Sequence, residues 1–81
     1  MAAADDNDLH RLRWQCRRGL LELDCVFEDY LEQAYLQSSA ELQGVFRDLL
    51  NEQDPDLQAW ILYGEPAPAH FQAIVRILRK D

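Results

Sequence analysis

The chain has 81 residues, of which 48% are hydrophobic and 28% are charged, a composition typical of a folded globular domain rather than a disordered chain. A chain of this length buries only about 60 to 65% of its unfolded surface, which leaves little room for an enclosed substrate pocket. Fifteen acidic and eight basic side chains give a formal charge of −7. This charge disfavours non-specific binding to nucleic-acid backbones and to anionic membrane surfaces.

Residues 1–8 form an acidic leader with three aspartates and no apolar run, unlike a secretory signal or a basic mitochondrial presequence. We expect this leader to be flexible and the whole chain, 1–81, to form a single helical domain. No stretch approaches the roughly 20 apolar residues of a membrane span. Cys16 and Cys25 suggest no disulfide framework, so we interpret them as free thiols. The sequence predicts a bacterial cytoplasmic protein, with a processed organellar form as the alternative.

Apolar residues recur at helical spacing along the chain, and no run of alternating β-branched residues indicates a strand. The pattern predicts an all-α fold, a compact bundle of about five short helices. The first helix follows the leader, buries Leu9, Leu12 and Cys16, and ends near Gly19. The second and longest helix has a continuous apolar face, formed by Leu20, Leu23, Phe27, Leu31 and Ala34.

The third helix begins at a predicted capping box, in which Ser38 is followed three residues later by Glu41. Its predicted buried face consists of Leu42, Val45, Phe46, Leu49 and Leu50.

A short fourth helix is predicted from Asp54 as its N-cap, with Pro55 at the first helical position and Gly64 at the C-terminal end. Its predicted buried residues are Leu57, Trp60 and Ile61. After Pro66 and Pro68, the fifth helix buries Phe71, Ile74, Val75 and Leu78 and carries basic residues near its C-terminus.

The segment from Arg17 to Asp24 (RRGLLELD) is the most unusual in the chain, because it places two arginines beside a helix-breaking glycine in an otherwise acidic protein. Gly19 has no Cβ, so a partner backbone can approach closely, and a neighbouring arginine can donate a planar pair of hydrogen bonds. This combination favours docking of a partner. Alternatively, Gly19 only joins two helices, and Arg18 and Glu22 form a surface pair worth about 0.3 to 0.5 kcal/mol.

Other kinds of site have weaker support in the sequence. The cysteines and histidines, Cys16, Cys25, His10 and His70, do not have the spacing of a zinc site, so we expect no metal. The three glycines are too far apart for a phosphate-binding loop. The cluster of Arg11, Arg13, Arg17 and Arg18 could form a nucleic-acid patch. The net charge disfavours that interpretation, so we expect no nucleic-acid partner.

The chain resembles the bacterial succinate dehydrogenase assembly factors, the SdhE family, and their mitochondrial relatives, from Arg11 to Leu78. The family motif R-G-x-x-E is similar to Arg18, Gly19 and Glu22 here. Further similar positions are Trp14, Cys16, Arg17, Leu23, Asp24, the segment Asp54-Pro55-Asp56-Leu57 with Trp60, and Gly64 with Pro66. Together these positions are specific, whereas the short motif alone is weak.

The resemblance implies a protein that is not an enzyme but binds the flavoprotein subunit of succinate dehydrogenase, and also of fumarate reductase, and promotes covalent FAD attachment to a histidine of that subunit. FAD is then the cofactor of the client subunit, and direct contact with this chain is left open. We expect a monomer with no membrane insertion. The implied client-binding residues are Arg18, Gly19 and Glu22, followed by Arg17, Asp24, Asp56 and Trp14.

Two alternative functions remain at this point. Some members of the family are named as antitoxins, which implies an interaction protein that neutralises a toxin. A helix-turn-helix regulator is supported only by the short helices and the arginine cluster, and it would have to bind DNA or heparin at moderate salt.

Overall fold

The computed structural model describes residues 6–80, and side chains from residue 9 onward. This part of the chain forms five α-helices and contains no strand, which confirms the predicted all-α class. The helices are α1 (Asp6–Cys16), α2 (Leu21–Gln33), α3 (Ala40–Leu49), α4 (Asp54–Leu57) and α5 (Gln72–Arg79). Because α1 begins at Asp6, it includes three residues of the predicted leader, whereas residues 1–5 lie outside the described part.

Three short helical turns lie between these helices. A 3₁₀ turn (Tyr35–Gln37) separates α2 from α3, and another (Ala69–Phe71) leads into α5. The helix α4 continues into a π-helical turn (Gln58–Leu62), which the sequence did not predict. This helix then stops as predicted, because Gly64 adopts a left-handed conformation with φ of +74° and the Glu65 amide donates to the Ala59 carbonyl at 2.8 Å.

A single apolar core lies where α5 packs against α2, α3 and the π turn, while α1 packs on α2. The radius of gyration of 12.0 Å is close to the value of about 12 Å expected for a compact domain of this length. The buried side chains include residues from every helix: Leu12, Cys16, Leu23, Phe27, Leu31, Phe46, Leu49, Leu57, Ile74, Val75 and Leu78. The predicted buried faces of the helices are therefore confirmed at these positions.

Aromatic rings fill the centre of this core. The Phe46 ring centre lies 4.7 Å from that of Tyr30, 5.7 Å from that of Tyr35 and 6.1 Å from that of Phe27. These separations and the tilted or edge-on ring geometries are in the range that favours aromatic pairs. Phe46 thus joins α3 to α2 and to the 3₁₀ turn that follows α2.

Two predicted helix caps are wrong in detail. Ser39, not Ser38, caps α3, because its Oγ accepts a hydrogen bond from the Leu42 amide at 3.1 Å. Ser38 instead bonds to the hydroxyl of Tyr30 at 2.6 Å and to the carbonyl of Ala34 at 2.9 Å. The predicted capping box is therefore absent, since its serine faces the preceding helix.

The second correction concerns α4. Asp54 is the first residue of that helix and Gln53 precedes it as the cap, without a side-chain capping bond. The Asp54 carboxylate is instead directed toward Arg18, 36 positions earlier in the chain. This contact brings the α1–α2 link to the beginning of α4.

Candidate site at the link between α1 and α2

Gly19 lies at the exposed centre of the four-residue link between α1 and α2. Its φ is +76°, a left-handed conformation that costs other residues roughly 1 to 2 kcal/mol. A Cβ built at this position would have no atom within 4 Å. The backbone therefore favours glycine, and any side chain placed here would project into open space on the surface.

Arg18, immediately before this glycine, is turned inward. Its Nη1 lies 3.3 Å from the Glu52 carbonyl and 3.3 Å from the Asp54 carboxylate, and its Nη2 donates to the Leu50 carbonyl. The Arg18 side chain is only 16% exposed. The sequence-based alternative of a surface pair between Arg18 and Glu22 is therefore wrong, because the guanidinium is bound to the link between α3 and α4.

Asp24 fixes the same link from the other side. Its Oδ1 accepts a hydrogen bond from the backbone amide of Arg18 at 2.7 Å. Asp24 lies in the first turn of α2, where a carboxylate is also favoured by the positive end of the helix dipole. The half-buried Asp24 carboxylate therefore fastens the backbone that precedes Gly19.

Two large apolar side chains are exposed on either side of the link. Trp14, in the last turn of α1, is 63% exposed, and Leu21, the first residue of α2, is 78% exposed. The guanidinium carbon of Arg17 lies 5.5 Å from the centre of the Trp14 ring, within the range of a cation–π contact. Trp14, Arg17, Gly19, Leu21 and the exposed Glu22 form what we call the link surface.

Leu21 was not predicted as a site residue from the sequence, although its position beside the apolar face of the second helix indicates exposure. It lies between Leu20 and Leu23, both of which belong to the apolar face of the second helix. A residue adjacent to that face is rotated away from it by about 100° around the helix axis. An apolar residue at such a position is expected to be exposed, as Leu21 is.

Asp56 is not brought to the link by any contact in the described part of the chain. It is exposed in the single turn of α4, two residues after Asp54. Two residues correspond to about 200° around a helix, so Asp56 and Asp54 point in different directions. Among the predicted site residues, Arg18 and Asp24 support the link from below, and Trp14, Arg17, Gly19 and Glu22 lie at its surface.

The arginine cluster is partly neutralised by acidic side chains. Arg13 forms an ion pair with Glu32 on α2 at 3.0 Å, and Arg18 is paired with Asp54 at 3.3 Å. Arg17 covers the Trp14 ring. These contacts weaken the interpretation of the cluster as a phosphate-binding patch, because two of its four arginines already have carboxylate partners.

Cys16, the last residue of α1, is completely buried beneath the link. Burial raises the pKa of its thiol from 9.0 to about 12, with a smaller contribution from the nearby Glu28 carboxylate. A thiol with so high a pKa is a poor nucleophile, because very little thiolate forms at neutral pH.

Among the described residues, no group of three histidine, cysteine or acidic side chains is arranged to hold a metal ion.

The described helices also include none that is long and apolar enough to cross a lipid bilayer. Together, the fold and the link surface define a class of protein: a small all-helical domain that presents an exposed glycine link flanked by apolar and charged side chains. Comparison with known families identifies that class, because residues 10–81 match the family described as flavinator of succinate dehydrogenase. The chain belongs to this family, which confirms the resemblance found in the sequence.

Several bacterial relatives are named FAD assembly factor SdhE. The protein of Idiomarina loihiensis is 54% identical over 55 residues, a match that covers 68% of this chain but only 61% of that protein. The protein of Pseudomonas aeruginosa is 40% identical over 76 residues, covering 93% of this chain and 90% of its own length. That of Coxiella burnetii is 34% identical over 71 residues, covering 86% and 87%. A comparison with solved structures found no significant match.

Proposed function

We propose that this protein binds the flavoprotein subunit of succinate dehydrogenase through the link surface and promotes covalent attachment of FAD to that subunit. The observation that carries the proposal is the open, left-handed Gly19 between the exposed Trp14 and Leu21, in a chain whose relatives are named FAD assembly factors. An exposed apolar pair beside a backbone without a Cβ is a suitable docking site for another protein chain.

The proposed contribution of this chain is to hold the client in a productive conformation. If the link surface binds better to the conformation in which the client histidine and the flavin 8α-methyl group are aligned, binding shifts the client toward that conformation. Alignment of two reacting groups can lower a barrier by several kcal/mol without any catalytic side chain. The atoms of the new bond belong to the client and to FAD, so this chain acts as an assembly factor and not as an enzyme.

The proposal places FAD on the client and not in a site of this chain. Gly19, Gly44 and Gly64 are 25 and 20 residues apart, so they cannot form the glycine-rich loop that commonly holds a dinucleotide phosphate. Saturation of the purified protein with FAD should therefore leave its thermal unfolding temperature unchanged, whereas a bound cofactor would raise that temperature.

Three further points belong to the proposal. The protein acts as a monomer, it functions in the bacterial cytoplasm, and its clients include the related flavoprotein subunit of fumarate reductase. Light scattering of the purified protein tests the first point and cell fractionation the second. Purification with each flavoprotein subunit in turn tests the third.

The proposed function is tested by in-gel flavin fluorescence of the denatured succinate dehydrogenase flavoprotein from cells that lack this protein. We expect the fluorescence to fall and to be restored by the wild-type gene. Gly19→Arg should fail to restore it, whereas Gly64→Arg should succeed, because Gly64 has the same backbone conformation but lies next to α5. Fluorescence that does not change on removal of the protein would contradict the proposal and favour another binding role, such as that of an antitoxin.

A further inference from the structure

We propose that Arg18 is a positioning residue, which holds the link surface in its binding shape from beneath and does not itself contact the client. This inference rests on the proposed function, because it concerns how the same surface is prepared. It differs from the role that the motif suggests, in which the guanidinium of Arg18 would donate hydrogen bonds directly to the partner.

The two ends of Arg18 are fastened to different parts of the fold. Its backbone amide donates to the Asp24 carboxylate in α2 at 2.7 Å. Its guanidinium contacts the carbonyls of Leu50 and Glu52, in the segment between α3 and α4, and the carboxylate of Asp54, the first residue of α4. Arg18 therefore connects the α1–α2 link to the α3–α4 link, two segments that are more than 30 positions apart in the chain.

The chemistry of these acceptors explains why an arginine is suited to this position. Leu50 is the C-cap of α3, and the last carbonyls of a helix lack partners within the helix and carry the negative end of its dipole. A planar guanidinium can donate to several acceptors in fixed directions, whereas a lysine offers one compact charge. The side chain thus satisfies a helix end and an acidic residue at the same time.

Burial makes a second role for this guanidinium in client binding unfavourable. The Arg18 side chain is only 16% exposed. To reach a client, the guanidinium would have to leave its contacts with Leu50, Glu52 and Asp54. Gly19, the next residue, is exposed and therefore remains available.

If Arg18 has a positioning role, removal of one of its acceptors should also weaken client binding by the link surface. Asp54→Ala removes one acceptor of Arg18 but leaves every residue of the link surface in place. If Arg18 acts through its contact with the α3–α4 link, Asp54→Ala and Arg18→Met should both weaken client binding, and the double variant should be little worse than Arg18→Met alone. Residues that act through one shared contact are non-additive in this way.

The experiment combines two measurements on the full-length protein. Amide hydrogen exchange by NMR, in the protein without a client, reports the opening of the link at the Arg17 and Arg18 amides, which bond to Trp14 and Asp24. Affinity for the purified succinate dehydrogenase flavoprotein subunit reports the link surface. The control is Arg47→Met, which removes a guanidinium that bonds to the Tyr35 hydroxyl at 2.7 Å, away from the link.

We expect Arg18→Met to accelerate exchange at both link amides and to weaken client affinity roughly tenfold, the scale expected from loss of pre-ordering. Asp54→Ala should have a smaller effect in the same direction, and Arg47→Met should leave the link amides and the affinity unchanged. The amides of α5 should remain protected from exchange in all variants. This result would distinguish local opening of the link from unfolding of the whole domain.

Two results would overturn the inference. Weaker client binding by Arg18→Met with unchanged exchange at the link amides would indicate a direct contact. Faster exchange with unchanged affinity would indicate that the contacts of Arg18 order the link but do not determine how the link surface binds the client. If Arg18→Met does not fold, Asp54→Ala decides, since wild-type exchange and affinity in that variant contradict the inference. Failure of the proposed function is distinguishable, because the wild-type protein itself would then not bind the flavoprotein.

Discussion

Gly19 and Gly64 share one backbone conformation but have different surroundings. Their φ angles are +76° and +74°. A Cβ at Gly19 would meet no atom within 4 Å, whereas one at Gly64 would lie 3.6 Å from Nη2 of Arg79, an ordinary van der Waals distance. The same substitution at the two positions therefore imposes a similar backbone strain, while only the change at Gly19 alters the link surface.

Gly19→Ala and Gly64→Ala should each lower the free energy of unfolding by about 1 to 2 kcal/mol, because a left-handed conformation is unfavourable for alanine. Urea denaturation measures both values. Asparagine tolerates this conformation better, so Gly19→Asn should be more stable than Gly19→Ala. An increase in stability on changing Gly19 to alanine would contradict the left-handed conformation of the link.

The corrected cap of α3 predicts that Ser39→Ala lowers the free energy of unfolding by about 1 kcal/mol. Ser39→Asp should retain most of the stability, because an aspartate can accept the same bond from the Leu42 amide. Thermal denaturation of the two variants provides the comparison. Equal stability of Ser39→Ala and the wild type would argue for the original assignment of the cap to Ser38.

Leu21→Ser should weaken client binding without destabilising the fold. The side chain is 78% exposed, so its replacement should change the free energy of unfolding by no more than about 0.5 kcal/mol. Client affinity should fall about tenfold if Leu21 is buried by the partner. Leu36→Ser is the control, since Leu36 is 57% exposed on the turn after α2. An equal loss of affinity in the two variants would exclude a specific role for Leu21.

The buried thiol of Cys16 predicts lower stability at alkaline pH. Because burial raises its pKa from 9.0 to about 12, the unfolded chain releases this proton above pH 9 while the folded protein retains it. The free energy of unfolding should therefore fall as the pH rises from 9 toward 12. Burial also raises the pKa of Tyr30, which acts in the same direction.

Urea denaturation of Cys16→Ala across this pH range tests the assignment. The decline with pH should be shallower than in the wild type, with the part due to Tyr30 remaining. Cys25→Ala, which changes an exposed cysteine, should follow the wild type. A decline that is equally steep in Cys16→Ala would mean that the Cys16 thiol does not cause it.

The helices could be predicted from the sequence because their signals are local. The apolar spacing of α2 and α5 identified the buried faces, and the glycine after α4 marked the end of that helix. The assignment of the α3 cap failed because Ser38 and Ser39 are adjacent and either can accept an amide bond. The structure separates them by a contact that the sequence does not show, because the Ser38 hydroxyl bonds to the Tyr30 hydroxyl and Ser39 accepts the Leu42 amide.

The role of Arg18 could not be predicted from the sequence. Two of the three acceptors of its guanidinium are the backbone carbonyls of Leu50 and Glu52. Every residue has such a carbonyl, so the residue types do not reveal these acceptors. The third, Asp54, had a plausible local role as a helix cap. The sequence nevertheless predicts most of the link surface, since Trp14, Arg17, Gly19 and Glu22 are all candidate site residues in it.

The most direct measurement is the rate of covalent FAD attachment in a mixture of purified flavoprotein subunit without flavin, FAD and this protein. The wild-type protein and Gly64→Arg should both accelerate attachment, whereas Gly19→Arg, although folded, should leave the rate at that of the flavoprotein and FAD alone. Full acceleration by Gly19→Arg would contradict the assignment of client binding to the link surface.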